Sequence, residues 1–307
     1  MTTRWIRHPR EIRNRYRFPG FSRDSSGRSL VPISVHVLGS SGGYPANGQP
    51  CSGYLVRGTA GAILLDCGPG VATALLRDGP HCNLDAIAIS HLHPDHTLDL
   101  IPLAYSLLTE WLVDGRTVPL PLFVPLGGID FLRRFSDLFG HRQWRLPTDG
   151  GSPGKQAIAT SLAQGQDWVF SVFDIREYMP GDDFGRGDLT VRTHPVDHGV
   201  PTAAMRIDDA DKSVVYSADT RFLPSLASFA SRTDLFFLDA HLSGLFAPGG
   251  AHMTPMEAGR LGAMAEASEL VLCHLATPED GDSARRAAAV EFKGPIHLAC
   301  QTSEYAL

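Results

Sequence analysis

From residue 33 onward, short apolar runs alternate with segments that have helical spacing. Alternation of apolar and polar positions indicates half-buried strands, and apolar positions three and four apart indicate helices. The pattern predicts strands at residues 33–38, 53–57, 62–66, 84–90, 122–125, 168–175, 188–193, 203–207, 213–217, 234–238, 269–273 and 295–298. It predicts helices at 98–113, 129–139, 255–266 and 283–291. Strands in series, with strand–helix alternation closing each half, predict an α/β chain with helices outside two sheets.

Composition narrows the class of protein. Hydrophobic residues make up 43% of the 307 residues and charged residues 20%, as in an ordinary globular protein. No apolar run reaches the ~18 residues of a membrane span, and the N-terminus lacks the apolar core of a secretory signal. We therefore expect a cytoplasmic protein without a membrane contact. The five cysteines are scattered and form no C-x-x-C pair, which argues against a disulfide framework or a zinc ribbon.

Charge is distributed unevenly along the chain. Residues 1–30 carry eight Arg and two acidic residues, Glu11 and Asp24, which gives a net charge of +6. Because the net charge of the whole chain is −6, residues 31–307 carry a net charge of −12. We therefore divide the chain into a basic arm, residues 1–30, and a domain, residues 31–307. The acidic domain argues against a broad nucleic-acid surface. The arm is interpreted as a solvated or partner-packed extension; the alternatives are an arm that contacts RNA or one that clasps a second subunit in a homodimer.

The segment SHLHPDH, residues 90–96, carries four potential metal ligands directly after a predicted strand. Burying three imidazoles and a carboxylate together is costly unless a cation compensates. Alternate residues that leave a strand point the same way, so His91 and His93 can converge on one ion. The turn at Pro94 then directs Asp95 and His96 toward a neighbouring second ion. The segment therefore predicts a site for two divalent cations.

Single acids and imidazoles follow later predicted strands. Asp219 closes the apolar strand before it, and His274 closes another, so each side chain would project into a cleft at a sheet edge.

Two loops add further candidates. His198 lies between two strands, where His194 is the rival ligand and Asp197 is either a neighbour of the ligands or a surface residue. His252 lies in a Gly-rich loop before a helix, where a mobile acid could reach a bound substrate.

These spaced motifs together resemble the metallo-β-lactamase-fold hydrolases. The resemblance covers about residues 35–274 and includes LGSSGGYP at 38–45 and LLDCGPG at 64–70. It implies a four-layer αββα sandwich with the site at the edge between two sheets. It also implies that Asp66 orients a ligand His through a hydrogen bond. The implied ligands are His91, His93 and His198 for one metal, Asp95, His96 and His274 for the second, and Asp219 as a bridge between them.

Within that family, the chain looks like the ribonuclease Z and cyclic-phosphodiesterase branch. The similarity lies in YSADT at 216–220, AHMT at 251–254 and His274. In that branch a His before a Thr assists phosphodiester cleavage, and His252 is the matching position. Ribonuclease Z polarises this His with a His-Glu-Ala-Thr stretch, whereas this chain has LDAH at 238–241. Asp239 would replace the Glu with a shorter reach, and the role of His241 is left open.

The resemblance to ribonuclease Z is incomplete in the segment that would grip tRNA. That arm is rich in Gly and Lys in the family, whereas residues 141–167 here supply only Arg142, Arg145 and Lys155. Together with the acidic domain, this favours a small phosphodiester, such as a cyclic nucleotide, over RNA 3′-processing.

The predicted activity is therefore dinuclear metal-dependent phosphodiester hydrolysis of a small molecule. Two cations would lower the pKa of a bridging water to roughly 7, and the metal-bridging hydroxide would attack the phosphorus. Asp95 and His252 are the predicted catalytic residues, with His252 as a general acid. Zn²⁺ is the metal expected for this N/O donor set, and Mn²⁺ or Fe would also suit it.

Two other functions compete with this prediction. The aliphatic stripe of the helix at 98–113 is first interpreted as core; as a pocket wall it would favour an acyl substrate and hence a lactone or thioester hydrolase with the same two metals. A non-catalytic metal-binding module is disfavoured because all seven ligand positions are retained.

Overall fold

The computed structural model describes residues 33–58, 61–77, 84–114, 118–139, 168–186, 189–209, 211–241, 250–276 and 281–307. The basic arm of residues 1–30, its boundary with the predicted domain, and the loop predicted at 146–166 lie outside the described residues. No helix within these ranges is long and apolar enough to cross a membrane.

Fourteen strands and eight helices are present in the described part of the chain. The strands are β1 Ser34–Gly39, β2 Gly53–Arg57, β3 Ala62–Leu65, β4 Ala86–Ala88, β5 Leu120–Pro125, β6 Phe173–Tyr178, β7 Asp183–Arg186, β8 Leu189–Pro195, β9 Ala203–Asp209, β10 Lys212–Tyr216, β11 Leu235–Asp239, β12 Glu269–Cys273, β13 Ile296–Leu298 and β14 Glu304–Ala306. The helices are α1 Val71–Arg77, α2 Pro94–Thr97, α3 Leu100–Asp114, α4 Gly128–Phe139, α5 Trp168–Val172, α6 Pro224–Phe229, α7 Pro255–Met264 and α8 Gly281–Ala288.

The strands form two mixed sheets of seven. Their orders are β14-β1-β2-β3-β4-β5-β6 and β13-β12-β11-β10-β9-β8-β7. Strands β3 to β6 run parallel in the first sheet, and β10 to β13 run parallel in the second. In each sheet the carboxyl ends of the parallel strands therefore share one edge.

Alternation along the strands separates three apolar layers. On β2, Tyr54 and Val56 belong to the core between the two sheets, while Leu55 faces the other way and packs with α1 and α3. A third cluster joins the outer face of the second sheet to α6, α7 and α8. Two inner sheets covered by helices on both outer faces give the four-layer αββα sandwich expected from the sequence.

The aliphatic stripe of α3 belongs to the core. Leu103, Leu107 and Leu108 are fully or almost fully buried and cluster with Leu64 and Ile87 of the first sheet. The first interpretation of this stripe is therefore confirmed.

Two predicted strands differ from the structure. Residues 168–172 form a helix, because Trp168, Val169 and Val172 are buried at helical spacing, and the strand begins only at Phe173. The predicted strand at 84–90 is regular only at Ala86–Ala88, because the Ser90 N–H leaves the sheet and donates to Asp66. Five further elements, each three to seven residues long, were not predicted from the sequence: α1, α2, α6, β7 and β14.

Candidate metal centre

The predicted site residues meet at the edge where parallel strands of both sheets end. SHLHPDH follows β4, Asp219 follows β10 and His274 follows β12, while His198 lies in the turn after β8. Because these strand ends share one edge of the sandwich, residues almost two hundred positions apart become neighbours.

The first group contains His91, His93, His198 and Asp219. His93 Nδ1 lies 3.1 Å from His91 Nε2 and 3.1 Å from His198 Nε2. Asp219 Oδ2 lies 3.7 Å from His91 Nε2 and 3.8 Å from His198 Nε2. All four donor atoms therefore face a common point.

The second group contains Asp95, His96, His274 and the same Asp219. His274 Nε2 lies 3.1 Å from Asp95 Oδ2 and 3.2 Å from Asp219 Oδ2. His96 Nε2 lies 3.4 Å from Asp95 Oδ2 and 3.4 Å from Asp219 Oδ1. Asp219 thus offers one carboxylate to both groups, and this is the arrangement that the family resemblance implies.

The opposite ring nitrogens fix how three of these imidazoles are oriented. His96 Nδ1 donates to Asp66 Oδ2 at 2.7 Å, and His198 Nδ1 donates to the Ala251 carbonyl at 3.0 Å. Ser90 Oγ donates to Asp66 Oδ2, so it accepts from His91 Nδ1 at 3.1 Å. With Nδ1 protonated, the lone pair of each Nε2 points into the cluster, as a metal ligand requires.

Asp66 is the shared acceptor behind the ligands. It is fully buried and accepts from the Ser90 backbone and hydroxyl, His96 Nδ1 and the Tyr216 hydroxyl. The expected hydrogen bond to a ligand His is therefore present.

Charge at the centre favours a cation. Burial opposes protonation of His96, but the carboxylates of Asp219 and Asp66 raise its pKa well above the ordinary value. Burial also opposes ionisation of Asp95, but the imidazoles of His274 and His96 beside its carboxylate hold its pKa below the usual range. In both cases the surroundings stabilise positive charge beside ionised carboxylate.

The donor set fits a divalent metal. His96 Nε2 and Asp219 Oδ1 are deeply buried and have no hydrogen-bond partner in the described part of the chain, although they lie 3.4 Å apart. Leaving such atoms unsatisfied costs about 1–3 kcal/mol each, and a bound cation would satisfy both. Zn–N bonds of about 2.0–2.1 Å would place the donors of a tetrahedral site about 3.3 Å apart, close to the spacings within both groups.

The backbone is strained where it delivers these side chains. Asp66, Ala218 and His274 have positive φ values of 59°, 53° and 57°, and each follows a buried strand closely. Non-glycine residues seldom adopt this conformation, which costs of order 1–3 kcal/mol at a site that the surrounding structure enforces. At each of these three residues the backbone turns sharply at the edge of the sheet.

His252 faces the same centre from the loop before α7. Its Nδ1 lies 2.9 Å from Asp239 Oδ2 and 3.9 Å from Asp219 Oδ2. Asp239 ends β11 and is fully buried. Its contact with His252 is the one expected if Asp239 replaces the Glu of ribonuclease Z.

The pocket above the centre has a volume of about 320 Å³ within the described residues. Its lining consists of Gly43, His93, Asp95, His198, Gly199, Asp219, His241, Ala251, His252 and His274. Two predicted site residues, His91 and His96, do not line the pocket because they are fully buried beneath it.

The rival candidates lie elsewhere or have other partners. His194 Nε2 contacts the Ser225 hydroxyl at 3.2 Å, and its ring stacks on Phe229, so it is not part of either donor group. Asp197 is half exposed and pairs with Arg221 at 3.5 Å.

Two site features were missed by the sequence analysis. The Gly43 N–H donates to Asp95 Oδ2 at 2.8 Å, and His241, whose role was left open, lines the pocket. The position of His241 could have indicated a site residue, because it follows a buried strand as Asp219 and His274 do. Burial lowers the pKa of His241, and His274 and His252 lower it further.

Comparison with known proteins agrees with this geometry. Residues 62–275 match the family described as a beta-lactamase superfamily domain. The chain belongs to the beta-lactamase superfamily. The match covers both donor groups, since they lie between residues 91 and 274.

Relatives within the superfamily include a probable metallo-hydrolase and ribonucleases. YhfI of Bacillus subtilis, a probable metallo-hydrolase, is 28% identical over 268 residues, which span 87% of this chain and 97% of that protein. Its crystal structure has a TM-score of 0.74 at 26% identity and covers 89% of this chain and 99% of its own. Ribonuclease Z of Mycobacterium bovis (strain BCG / Pasteur 1173P2) is 28% identical over 208 residues, or 66% of this chain and 68% of that protein.

A more distant solved structure shares the fold alone. A diphosphatase from the PhnP family has a TM-score of 0.61 at 17% identity, with 90% of this chain and 98% of that chain covered. Together, the family match and the relatives identify a metal-dependent hydrolase in the ribonuclease Z-like branch of the superfamily, and confirm the predicted fold.

Proposed function

We propose that the protein hydrolyses a small phosphodiester with two divalent cations and His252. The observation that carries this proposal is the position of His252. Its ring is anchored by Asp239 and faces two four-residue donor groups that share Asp219. A phosphodiesterase needs both parts: a site for cations at the phosphate and a proton-bearing group beside it.

The residues named above would hold the metals. His91, His93 and His198 would bind one cation, Asp95, His96 and His274 the other, and Asp219 both. When bound, such cations supply Lewis-acid polarisation of a phosphoryl oxygen and activation of water. Nitrogen and oxygen donors favour Zn²⁺, and Mn²⁺ and Fe are the other metals that such a set accepts.

His252 would handle the proton. The Asp239 carboxylate accepts a hydrogen bond from Nδ1, which leaves Nε2 as the ring atom for the substrate. In the doubly protonated ring, Nε2–H can donate to a phosphoryl oxygen or to the departing alkoxide, an effect of about 10²–10⁴-fold in rate. The Gly43 N–H would hold Asp95 Oδ2 in place through its hydrogen bond.

Pocket size and lining support a small, polar substrate. The volume of about 320 Å³ is at the lower end for ligand sites, and seven of the ten lining residues are His or Asp. A cyclic nucleotide is a phosphodiester of suitable size.

The described pocket does not favour the acyl-hydrolase alternative. It depended on an apolar wall from the helix that follows SHLHPDH, but the stripe of α3 packs against the first sheet. No residue of α3 is among those that line the described pocket.

RNA 3′-processing is the second candidate, because relatives named ribonuclease Z match two thirds of the chain. The segment expected to grip tRNA, residues 141–167, lies outside the described residues.

A substrate panel tests the proposal. Protein loaded with Zn²⁺ or Mn²⁺ would be assayed for initial rates on bis(p-nitrophenyl) phosphate, 3′,5′-cyclic AMP, a precursor tRNA, an aryl lactone and an acyl thioester. We expect hydrolysis of the two small phosphodiesters, abolished in Asp95→Ala. Lactone or thioester turnover without phosphodiester turnover, from protein shown to hold two metals, would overturn the proposal. Activity confined to precursor tRNA would favour the second candidate.

A further inference from the structure

His241 is a second imidazole in the pocket that the proposed mechanism does not use. Its ring centroid lies 4.4 Å from that of His252, at an interplanar angle of 32°, and 5.1 Å from that of His274. It lies two residues beyond Asp239 in the chain. Because both rings line the same pocket, a substrate that meets His252 also lies close to His241.

Three contacts hold His241 in one orientation. Its backbone N–H donates to Asp239 Oδ1 at 3.0 Å, and its Nδ1–H donates to the His274 carbonyl at 3.1 Å. The ring also fits against Gly42, where an added Cβ would come within 2.6 Å of His241 Nδ1. A ring anchored through Nδ1 has only Nε2 left for a ligand.

Nε2 of His241 has no hydrogen-bond partner among the described residues, and the side chain lines the pocket. The backbone carbonyl of His274 can only accept, so Nδ1 must carry the proton of the neutral ring. In the neutral ring, Nε2 is then a hydrogen-bond acceptor.

His241, His252 and His274 lie close enough together to hold a cation, but two of their Nδ1 atoms already have other partners. The Nδ1 atoms of His241 and His252 are both engaged, by a carbonyl and by Asp239, and His274 Nε2 faces Asp95 and Asp219. A ligand for His241 must therefore come from the substrate side.

The chemistry of an acceptor restricts that ligand. The oxygens of an ionised phosphodiester only accept hydrogen bonds, so they cannot pair with an unprotonated Nε2. Among the groups of a phosphodiester substrate, the partner must be a donor on the organic part, close to the scissile ester. In a ribonucleotide the 2′-hydroxyl is such a donor, adjacent to the carbon that bears the 3′ ester oxygen.

We propose that His241 Nε2 accepts a hydrogen bond from a substrate hydroxyl next to the scissile phosphodiester, and so selects ribonucleotides over deoxyribonucleotides. This inference rests on the proposed phosphodiesterase function. It makes His241 a specificity residue, distinct from the proton-handling role of His252.

Two amide substitutions separate this role from a structural one. In His241→Asn the amide N–H can still donate to the His274 carbonyl, but the acceptor in the pocket is lost. In His241→Gln the longer side chain can place an acceptor near the former Nε2, while the carbonyl bond is lost. Metal content would be measured for each variant, so that a change in rate is not attributed to a lost cation.

The experiment compares kcat/KM of the metal-loaded protein for 3′,5′-cyclic AMP and its 2′-deoxy analogue at pH 8. We expect the wild type to prefer the ribonucleotide about tenfold, which is the size of one neutral hydrogen bond. His241→Asn should lose this preference through a lower rate on the ribonucleotide alone, and His241→Gln should keep most of it.

Several results would overturn the inference. Equal rates on both nucleotides in the wild type would do so, as would a preference that survives in His241→Asn. A fall of equal size on both nucleotides, confined to His241→Gln, would show that the carbonyl bond matters and the pocket atom does not. Hydrolysis of bis(p-nitrophenyl) phosphate without either nucleotide would also reject it while leaving the proposed function intact. Hydrolysis of no phosphodiester would reject both.

Discussion

Asp239 Oδ2 accepts a hydrogen bond from His252 Nδ1 at 2.9 Å, at the end of a fully buried strand. The same oxygen accepts from the Thr220 backbone, and Oδ1 accepts from the His241 backbone. Three donors thus converge on one carboxylate that has no access to solvent. Because the carboxylate cannot turn, it fixes both the position and the tautomer of the imidazole in the pocket.

Asp239→Asn should impair turnover more than metal binding. Asparagine has one acceptor oxygen and no charge, so its NH₂ group would face one of the three donors and the hydrogen bond from His252 would no longer be made to a carboxylate. We expect kcat on a phosphodiester to fall about 10–100-fold, the usual loss when the residue that orients an active side chain is replaced. Asp174→Asn, at an exposed pair with Arg176, is the matched control. Wild-type kcat in Asp239→Asn would show that the pair does not orient His252.

His198 and His194 provide a direct test of the metal ligands. Both imidazoles lie near the end of β8, but only His198 is part of a donor group, while His194 contacts Ser225. Mass-spectrometric metal analysis should find two ions per chain in the wild type and in His194→Ala, and about one in His198→Ala. Two ions retained in His198→Ala would contradict the assignment of the first group.

Removal of metal should destabilise the fold. His96 Nε2 and Asp219 Oδ1 are buried and have no hydrogen-bond partner among the residues that the structure describes, so these polar atoms are uncompensated without metal. A ligand at ~1,000 times its Kd stabilises the native state by about 4 kcal/mol, which corresponds to a Tm change of roughly 8–16 °C in a medium-sized domain. Calorimetry with and without a chelator, with metal content verified, measures this shift. An unchanged Tm after complete metal loss would exclude a contribution of the metals to stability.

Gly42 should tolerate no side chain. A Cβ at this position would lie 2.6 Å from His241 Nδ1 and 2.8 Å from His274 Nδ1, so His274 would have to move. We expect Gly42→Ala to weaken binding of one cation about 10–100-fold, measured by competition with a chromophoric chelator. Gly199 lines the same pocket with open space around its Cβ position, so Gly199→Ala should bind both cations normally. Equal metal affinity in the two variants would contradict the packing described here.

Local pattern predicted most of the strands and the metal segment. The alternation of apolar and polar positions identified most buried strands. The clustering of His91, His93, Asp95 and His96 after one of them indicated a cation site before any fold was considered. The same rule could not separate a short helix from a strand at 168–172, because a run of five residues is too short to distinguish the two periods.

Other parts of the site depend on tertiary structure. The choice between His194 and His198 follows from a loop path that periodicity does not describe. The contact of Gly42 with His241 and His274 joins segments about two hundred residues apart. The positive φ of Asp66 and His274 is imposed by the sheets on residues that do not favour it.

The central claim is that His252 assists cleavage of a phosphodiester at the two-cation centre. The most direct test is kcat of His252→Ala on 3′,5′-cyclic AMP, with metal content measured on the same sample and His297→Ala, at an exposed pair with Glu269, as control. The account predicts two bound ions and a kcat about 10²–10⁴-fold below wild type. Wild-type kcat in His252→Ala, with both ions retained, would contradict it.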